Sequence, residues 1–518
     1  MKNKIKSKIE NKIDKIEQEK LITYAYRGLG IAVFMALCLY VNAALYYLLI
    51  DDTYHYTRLA LHELYHTEKN VDILFVGSSH CYQSIDPRIA DEGFHARTFN
   101  AGSGAQALDG SYAVLAEVLK KHALKEVYLE MYYPLAFSPE YRERDELTPV
   151  YVLSDHMPMS FNKIRFLLHA SDKKYYVNGF FVPRRNWAKL FDFSYIRSLV
   201  HEKRKPEYAG YVWNPAFHEN EYYVERGFVV STASVDPENY WNKTVFREIR
   251  TENISADWKH SFLQIVSLCR KKGVKLTLFI APEPEWSIAG VGNYDDYIAY
   301  VNELAEENGL SFYDFNLLRP EVFDANDASL FQDENHLNNK GAELFSRLFT
   351  DFFAGRLSEE EIFYPSYEEK EEDGEPVVYG LGGPYPDEST HVRTAKIISN
   401  RTEGLEYRVT LFPKSGEDEE GSKEEASDKE SYDRKGTDGE NAEYGENTED
   451  KEYEENEDYA ENEDYAEETE DGEHAGEVIK EFSESAQFAL PWEGEGIILL
   501  EWRETDDPDD GGVLEIPY

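Results

Sequence analysis

The chain has 518 residues, 14% of them aromatic, and carries 54 Lys and Arg against 101 Asp and Glu, a formal net charge of −47. That length points to more than one domain with ample apolar surface for a core, while the charge argues against nucleic acid as a partner. With Cys38, Cys81 and Cys269 as its only cysteines, the chain carries no disulfide framework.

Residues 1–27 hold a run of lysines, Lys2, Lys4, Lys6, Lys8, Lys12, Lys15 and Lys20, ahead of Gly28 to Ile50, a 23-residue stretch without a charged side chain. As a helix at ~1.5 Å per residue it is long enough to cross a ~30 Å hydrocarbon core, and the leading lysines predict an amino terminus in the cytoplasm with the rest extracytoplasmic. A cleaved signal peptide is the alternative, because Val41-Asn42-Ala43 resembles a cleavage site; the apolar run continues past it, which favours an uncleaved single-pass anchor in the cytoplasmic membrane. Leu37 before Cys38 does not suit a lipoprotein site. Residues 51–70 read as a short stalk that keeps the first strand near the bilayer.

From Val71 the pattern becomes strand, loop, helix, repeated. Val71 to Ser78, Arg97 to Ala101, Glu126 to Tyr132, Lys275 to Ala281 and Ser311 to Phe315 are apolar, β-rich runs; Ser111 to His122, Ala256 to Lys272, Tyr294 to Asn308 and Lys340 to Phe353 carry helical periodicity. Such alternation predicts an α/β domain over 71–355 with a three-layer, doubly wound parallel sheet. A long aromatic insertion, 135–248, interrupts it and carries Lys173, Lys174, Arg184, Arg185, Lys189, Arg197, Lys203, Arg204 and Lys205. Three readings stay open for it: a lid or groove holding a saccharide or a phosphate-bearing polymer, a surface touching anionic lipid, and an ordinary solvated face.

Residues 356–390 read as a linker, and 391–518 as a small β domain split by an acidic insert, 414–476. Between Glu417 and Glu477 there are 29 acidic and 5 basic residues, a net of −24, and the segment repeats Glu-Asn-Glu-Asp-Tyr-Ala at 455–460 and 461–466. Mutual repulsion and scarce apolar surface predict disorder there, a solvated spacer in preference to a calcium site.

Two short motifs carry the chemistry. Gly77-Ser78-Ser79-His80 ends the first strand, which places Ser79 at the carboxyl edge of the sheet, where ligands of open α/β sheets bind. Asp333-Glu334-Asn335-His336 precedes the last helix, with Asn338 and Asn339 as N-cap candidates. A serine hydroxyl needs an imidazole to take its proton and a carboxylate to orient that imidazole, and His336 and Asp333 supply both. Phe99-Asn100-Ala101-Gly102-Ser103-Gly104 is a loop whose glycines let backbone amides approach an oxyanion. Cys81 reads as a small buried residue in preference to a nucleophile, and His80 has no assigned role.

These blocks resemble the SGNH, or GDSL-like, hydrolase superfamily over residues 70–355: Gly77-Ser78-Ser79 for the nucleophile block, the Asn100 to Gly104 loop for the second, and Asp333 with His336 for the last. The resemblance implies a flavodoxin-like SGNH-type sheet, Ser79, His336 and Asp333 as catalytic residues, and Gly102 and Gly104 as oxyanion donors. Asn100, Arg184 and Arg185 are candidate substrate contacts. The third block departs from the superfamily, since Glu126 to Pro134 lacks its Gly-x-Asn-Asp, and Ser78 replaces the usual Asp. These departures are similar to the membrane-linked branch that includes the D-alanyl-transfer protein of lipoteichoic acid synthesis and exopolysaccharide O-acetylation proteins. That branch implies serine acyl transfer, as O-acyltransferase or acylesterase, without cofactor or metal. It further implies a membrane-bound O-acyltransferase as acyl donor and a cell-surface polysaccharide or teichoic-acid-like acceptor. A non-catalytic polymer-binding module on a degenerate SGNH fold is the competing reading.

Overall fold

The computed structural model describes residues 2–53, 55–213, 220–235, 247–387, 392–401, 404–413, 477–491, 496–505, 507–508 and 510–517. It divides into two compact units, Met1–Asp387 with Arg393–Gly404, and Glu388–Val392 with Leu405–Tyr518.

The five apolar runs of the first unit become strands β1 (Ile73–Val76), β2 (Thr98–Asn100), β3 (Glu126–Glu130), β4 (Lys275–Ile280) and β5 (Ser311–Asp314). All pair in parallel, in the order β2-β1-β3-β4-β5. The order reverses direction between β1 and β3, and in open α/β sheets the crevice beyond the carboxyl ends of strands at such a point takes the ligand. β1 is buried along its whole length, which is why it reads as an unbroken apolar run and not as an alternating one.

The helices around this sheet and ahead of it include α1 (Lys2–Leu49), α2 (Tyr56–His66), α3 (Ser79–Ser84), α4 (Leu108–Val118), α5 (Phe193–Lys203), α6 (Ala256–Lys272), α7 (Tyr294–Glu307) and α8 (Asn339–Phe353). Asn338 caps α8, its Oδ1 accepting from the amides of Lys340 and Gly341. The apolar stripe of α8 seats Phe349 edge-on against Phe75, Tyr128 and Phe279 of β1, β3 and β4. α8 also packs on α3, and α4 packs on α6. The start of α8 is thereby held over the end of β1.

Two expected connectors are folded instead. Residues 51–70 contain α2, whose Leu59, Leu61 and Leu64 are buried, so this stretch is part of the domain and not a stalk. Residues 356–390 contain helices Glu359–Ile362 and Tyr367–Asp373 and a strand, Val378–Asp387. Tyr367 and Lys370 reach the buried Glu285 at 2.7 and 2.5 Å, which ties the stretch to the first unit. Thr23–Leu49 of α1 is the one described helix long and apolar enough to cross a membrane.

The second unit holds a four-stranded antiparallel sheet in the order Glu477–Ser483, Leu405–Pro413, Gly496–Glu504, Gly511–Pro517. Its inward side chains include Val409, Ile498 and Leu500, all fully buried. Residues 392–399, expected in the small β domain, fall mostly in the first unit. The acidic insert 414–476 lies outside the described residues.

Candidate active site

β1 ends at Val76, and the chain turns through Gly77 and Ser78 into α3, so Ser79 is the first residue of that helix. The turn needs glycine: a side chain at 77 would run into the Glu130 carboxylate. Ser78 caps α3, its Oγ accepting the His80 amide. As the first residue of α3, Ser79 has an amide with no intrahelical acceptor, directed out of the helix end.

The loop carrying His336 is pinned on both sides. Phe331 and Leu337 form an antiparallel bridge, and the Gln332 amide donates to the His336 carbonyl at 2.9 Å. Asn338 Nδ2 donates to the carbonyls of Ala233, Ser329 and Phe331. Within the loop, Asp333 Oδ1 accepts the amides of Asn335 at 3.0 Å and His336 at 2.8 Å. Both carboxylate oxygens face His336 Nδ1, at 3.0 and 2.9 Å, and Nε2 lies 2.8 Å from Ser79 Oγ.

This geometry fixes proton positions. An ionised carboxylate only accepts, so Nδ1 carries the hydrogen, and Nε2 is left to accept from the serine hydroxyl. Burial opposes ionisation of Asp333, but its hydrogen bonds and the His336 charge outweigh that and hold it below the usual carboxylate value. A base, its orienting group and a hydroxyl therefore stand in one line.

Sequence reasoning missed what lies behind that line. His80 is buried and stacks on His336 with ring centroids 4.4 Å apart, while Tyr132 stacks on its other side at 3.8 Å. Tyr132 also accepts from Asn335 Nδ2 at 3.3 Å. Burial, and then the neighbouring His336, hold the His80 imidazole well below the ordinary histidine value. A neutral ring there supports His336 without repelling the imidazolium that proton transfer creates. The only sequence signal was the adjacency of His80 to Ser79; nothing marked Tyr132 as its partner.

Glu130, at the end of β3, is the second residue missed. Its buried carboxylate accepts the Ser78 amide at 2.7 Å, and burial pushes its pKa up to about 7. A carboxyl raised in the folded state binds its proton more tightly than when unfolded, so stability falls as pH rises from the ordinary value toward the raised one. The shift corresponds to roughly 3 kcal/mol. Glu130→Gln, which can still accept the Ser78 amide, is expected to remove that part of the pH dependence: thermal melts should gain most above about pH 7 and little near pH 5. Parallel melting curves for the two proteins across that range would rule this out.

The remaining candidates part company. Gly102 does pack closely on the nucleophile turn, since a side chain there would lie 2.8 Å from the Ser78 carbonyl. Its amide, however, donates to Asn100 Oδ1 at 3.2 Å, which corrects its assignment as an oxyanion donor. Gly104 has open space where a side chain would stand. Asn100 is fully buried and spends Nδ2 on the carbonyls of Cys81 and Ile85; it locks the loop to α3 and is no substrate contact. Arg185 is likewise committed, its Nη2 donating to both Asp155 carboxylate oxygens at 2.6 and 2.7 Å and its guanidinium over the Tyr151 ring, and Arg184 donates to Asn178. Neither arginine is tied to the Ser79 site by a described contact. Burial pushes the Cys81 thiol up, and it faces Asn100, so it is a packing residue and not the nucleophile. Among the described residues, no three His, Cys, Asp or Glu side chains are grouped to hold a metal ion.

No protein-family model matches this chain, and no curated protein matches it.

Proposed function

We propose that this protein is a membrane-anchored, extracytoplasmic serine acyl-transfer protein on a three-layer SGNH-type fold with a small C-terminal β domain. It takes an acyl group onto Ser79 and passes it to a hydroxyl of a cell-surface glycan or teichoic-acid-like polymer, or to water. The observation that carries the reading is the 2.8 Å approach of His336 Nε2 to Ser79 Oγ with Asp333 on the opposite ring nitrogen. The parallel sheet, with Ser79 following β1 at the reversal of strand order, supports it, as does α1.

In the first half-reaction His336 takes the Ser79 proton as Oγ attacks the acyl carbonyl, and the tetrahedral oxyanion is met by the amides of Ser79 and Gly104. Collapse breaks the bond to the donor's leaving group, which receives the proton from His336. In the second, His336 deprotonates the acceptor hydroxyl, which attacks the acyl ester and releases Ser79. A membrane-bound O-acyltransferase is the donor that fits a site held close to the bilayer by α1, with the lysines at its start on the cytoplasmic side.

Incubation of the full-length, detergent-solubilised protein with a fluorophosphonate tests the reading. Stoichiometric capture mapped to Ser79 is expected. Folded protein that remains unlabelled removes the catalytic reading and leaves a polymer-binding module.

A further inference from the structure

The insertion leaves large aromatic side chains in the open. Phe161, Phe191 and Phe193 are each 77% exposed, and Trp187 and Val177 about half exposed. A soluble surface seldom carries so many bulky apolar groups in one short stretch, and such patches mark interaction sites. What covers this one is told by its attachment. The 3-10 segment Val182–Phe191 and α5 both pack on α1. Asn186 Nδ2 and the Tyr195 hydroxyl each donate to the Leu49 carbonyl at 2.9 Å, the last residue of the apolar helix. Trp187 is next to Asn186 in sequence, and Phe191 and Phe193 flank the start of α5, so the patch is fixed at the level where α1 leaves the hydrocarbon. Lys173, Lys174, Arg184 and Arg197, all exposed, lie in the same stretch. Exposed aromatic rings and cationic side chains in one stretch of chain suit the boundary between acyl chains and anionic headgroups.

We infer that the insertion is a membrane-seated platform: Trp187, Phe191 and Phe193 enter the outer-leaflet interface beside α1, with the basic residues on the headgroups. The patch and α1 then form two points of attachment, which fixes the tilt of the first unit on the bilayer and not only its distance. The inference rests on α1 being an uncleaved anchor; it does not depend on the chemistry of Ser79.

The native thiols allow a direct test, because Cys81 and Cys269 are buried and Cys38 is exposed on α1. Full-length protein is labelled with a nitrobenzoxadiazole maleimide at Cys38, or, in a Cys38→Ser background, at Phe193→Cys or at Leu344→Cys on the exposed side of α8. Each is placed in nanodiscs of phosphatidylcholine and phosphatidylglycerol bearing acyl-chain nitroxides. Several-fold quenching is expected at positions 38 and 193 and little at 344. Quenching at 38 with position 193 no more affected than 344 overturns the platform, whether the patch faces water or a protein partner. No quenching at 38 overturns the anchor and the platform together. Fluorophosphonate capture by the same preparations is read independently, so a failure here is distinct from a failure of the catalytic reading.

Discussion

Ser79→Ala is expected to abolish fluorophosphonate capture, and Ser79→Ala and His336→Ala each to lower turnover of an activated ester by about 10³- to 10⁶-fold, with the double variant no worse than either single one. Non-additivity is the signature, because each side chain is useless to the chemistry without the other across their 2.8 Å contact. Asp333→Asn is the sharper probe. Asp333 Oδ1 is held by the amides of Asn335 and His336, so an amide side chain must keep its oxygen there and turn its nitrogen toward His336 Nδ1. Nδ1 then faces a donor at 2.9 Å and a single retained oxygen at 3.0 Å in place of two carboxylate oxygens, which favours the tautomer with the imidazole proton on Nε2, where it points at Ser79 and Nε2 cannot receive the serine hydrogen. A fall of about 10⁴-fold in turnover follows from the wrong tautomer, with the loop intact. Near-normal capture by Asp333→Asn, or losses that add in the double variant, would break the triad assignment.

How much of the fold and site was legible in the sequence depends on the range of the interaction. β1 to β4 are short runs whose burial is written in their composition, while the edge strand β5 is only partly buried, and all five runs match the strands within two residues at either end. The helices with strong stripes were legible for the same reason: Leu348, Phe349 and Phe352 of α8 repeat at helical spacing because they face the sheet. Ser79 and His336, 257 residues apart, could be paired because each sits at the boundary of a legible element. α2 was not legible, since Leu61 and Leu64 on its one short apolar face are buried only when they join the core of the assembled domain. Asn100 stands out in the sequence because it opens the glycine loop after β2; burial by α3 and by the chain at Gly227 decides against a substrate contact. Gly227, at φ 85°, lies so close that a side chain would strike the Asn100 carbonyl. The basic residues of the insertion are legible in the sequence only as a run, yet they divide into exposed charges and two buried pairs, Arg185 with Asp155 and Lys203 with Asp52. Their acidic partners lie 30 and 151 residues earlier in the chain, and composition carries no trace of such pairing.

The Lys203 pair supplies the largest expected effect on stability. Lys203 has a fully buried side chain, and its Nζ lies 2.9 Å from Asp52 Oδ1 and 2.5 Å from the Ile50 carbonyl, just past the end of α1. Arg58 approaches Asp52 Oδ2 at 3.4 Å, its guanidinium between the rings of Tyr208 and Tyr211, and the hydroxyls of Tyr46 and Tyr208 donate to the same carboxylate. Burial works against the Asp52 charge, and Lys203 and Arg58 more than offset it, holding the carboxyl below its ordinary value. Lys203→Met keeps the volume of the stem but leaves Asp52 and the Ile50 carbonyl short of a donor in a closed site, at a cost of about 3–5 kcal/mol. Because the lost contact joins α5 to the chain leaving α1, the damage should appear as local opening of the insertion and not as global unfolding. Amide exchange over α5 is therefore expected to speed up by about 100- to 5000-fold, with β1 and β3 little changed. Asp52→Asn combined with Lys203→Met should recover part of the loss, since the stranded charge is gone. Unchanged exchange in Lys203→Met would mean that the 3-10 segment and Tyr195 alone hold the insertion to α1, and that the buried pair contributes nothing to that attachment.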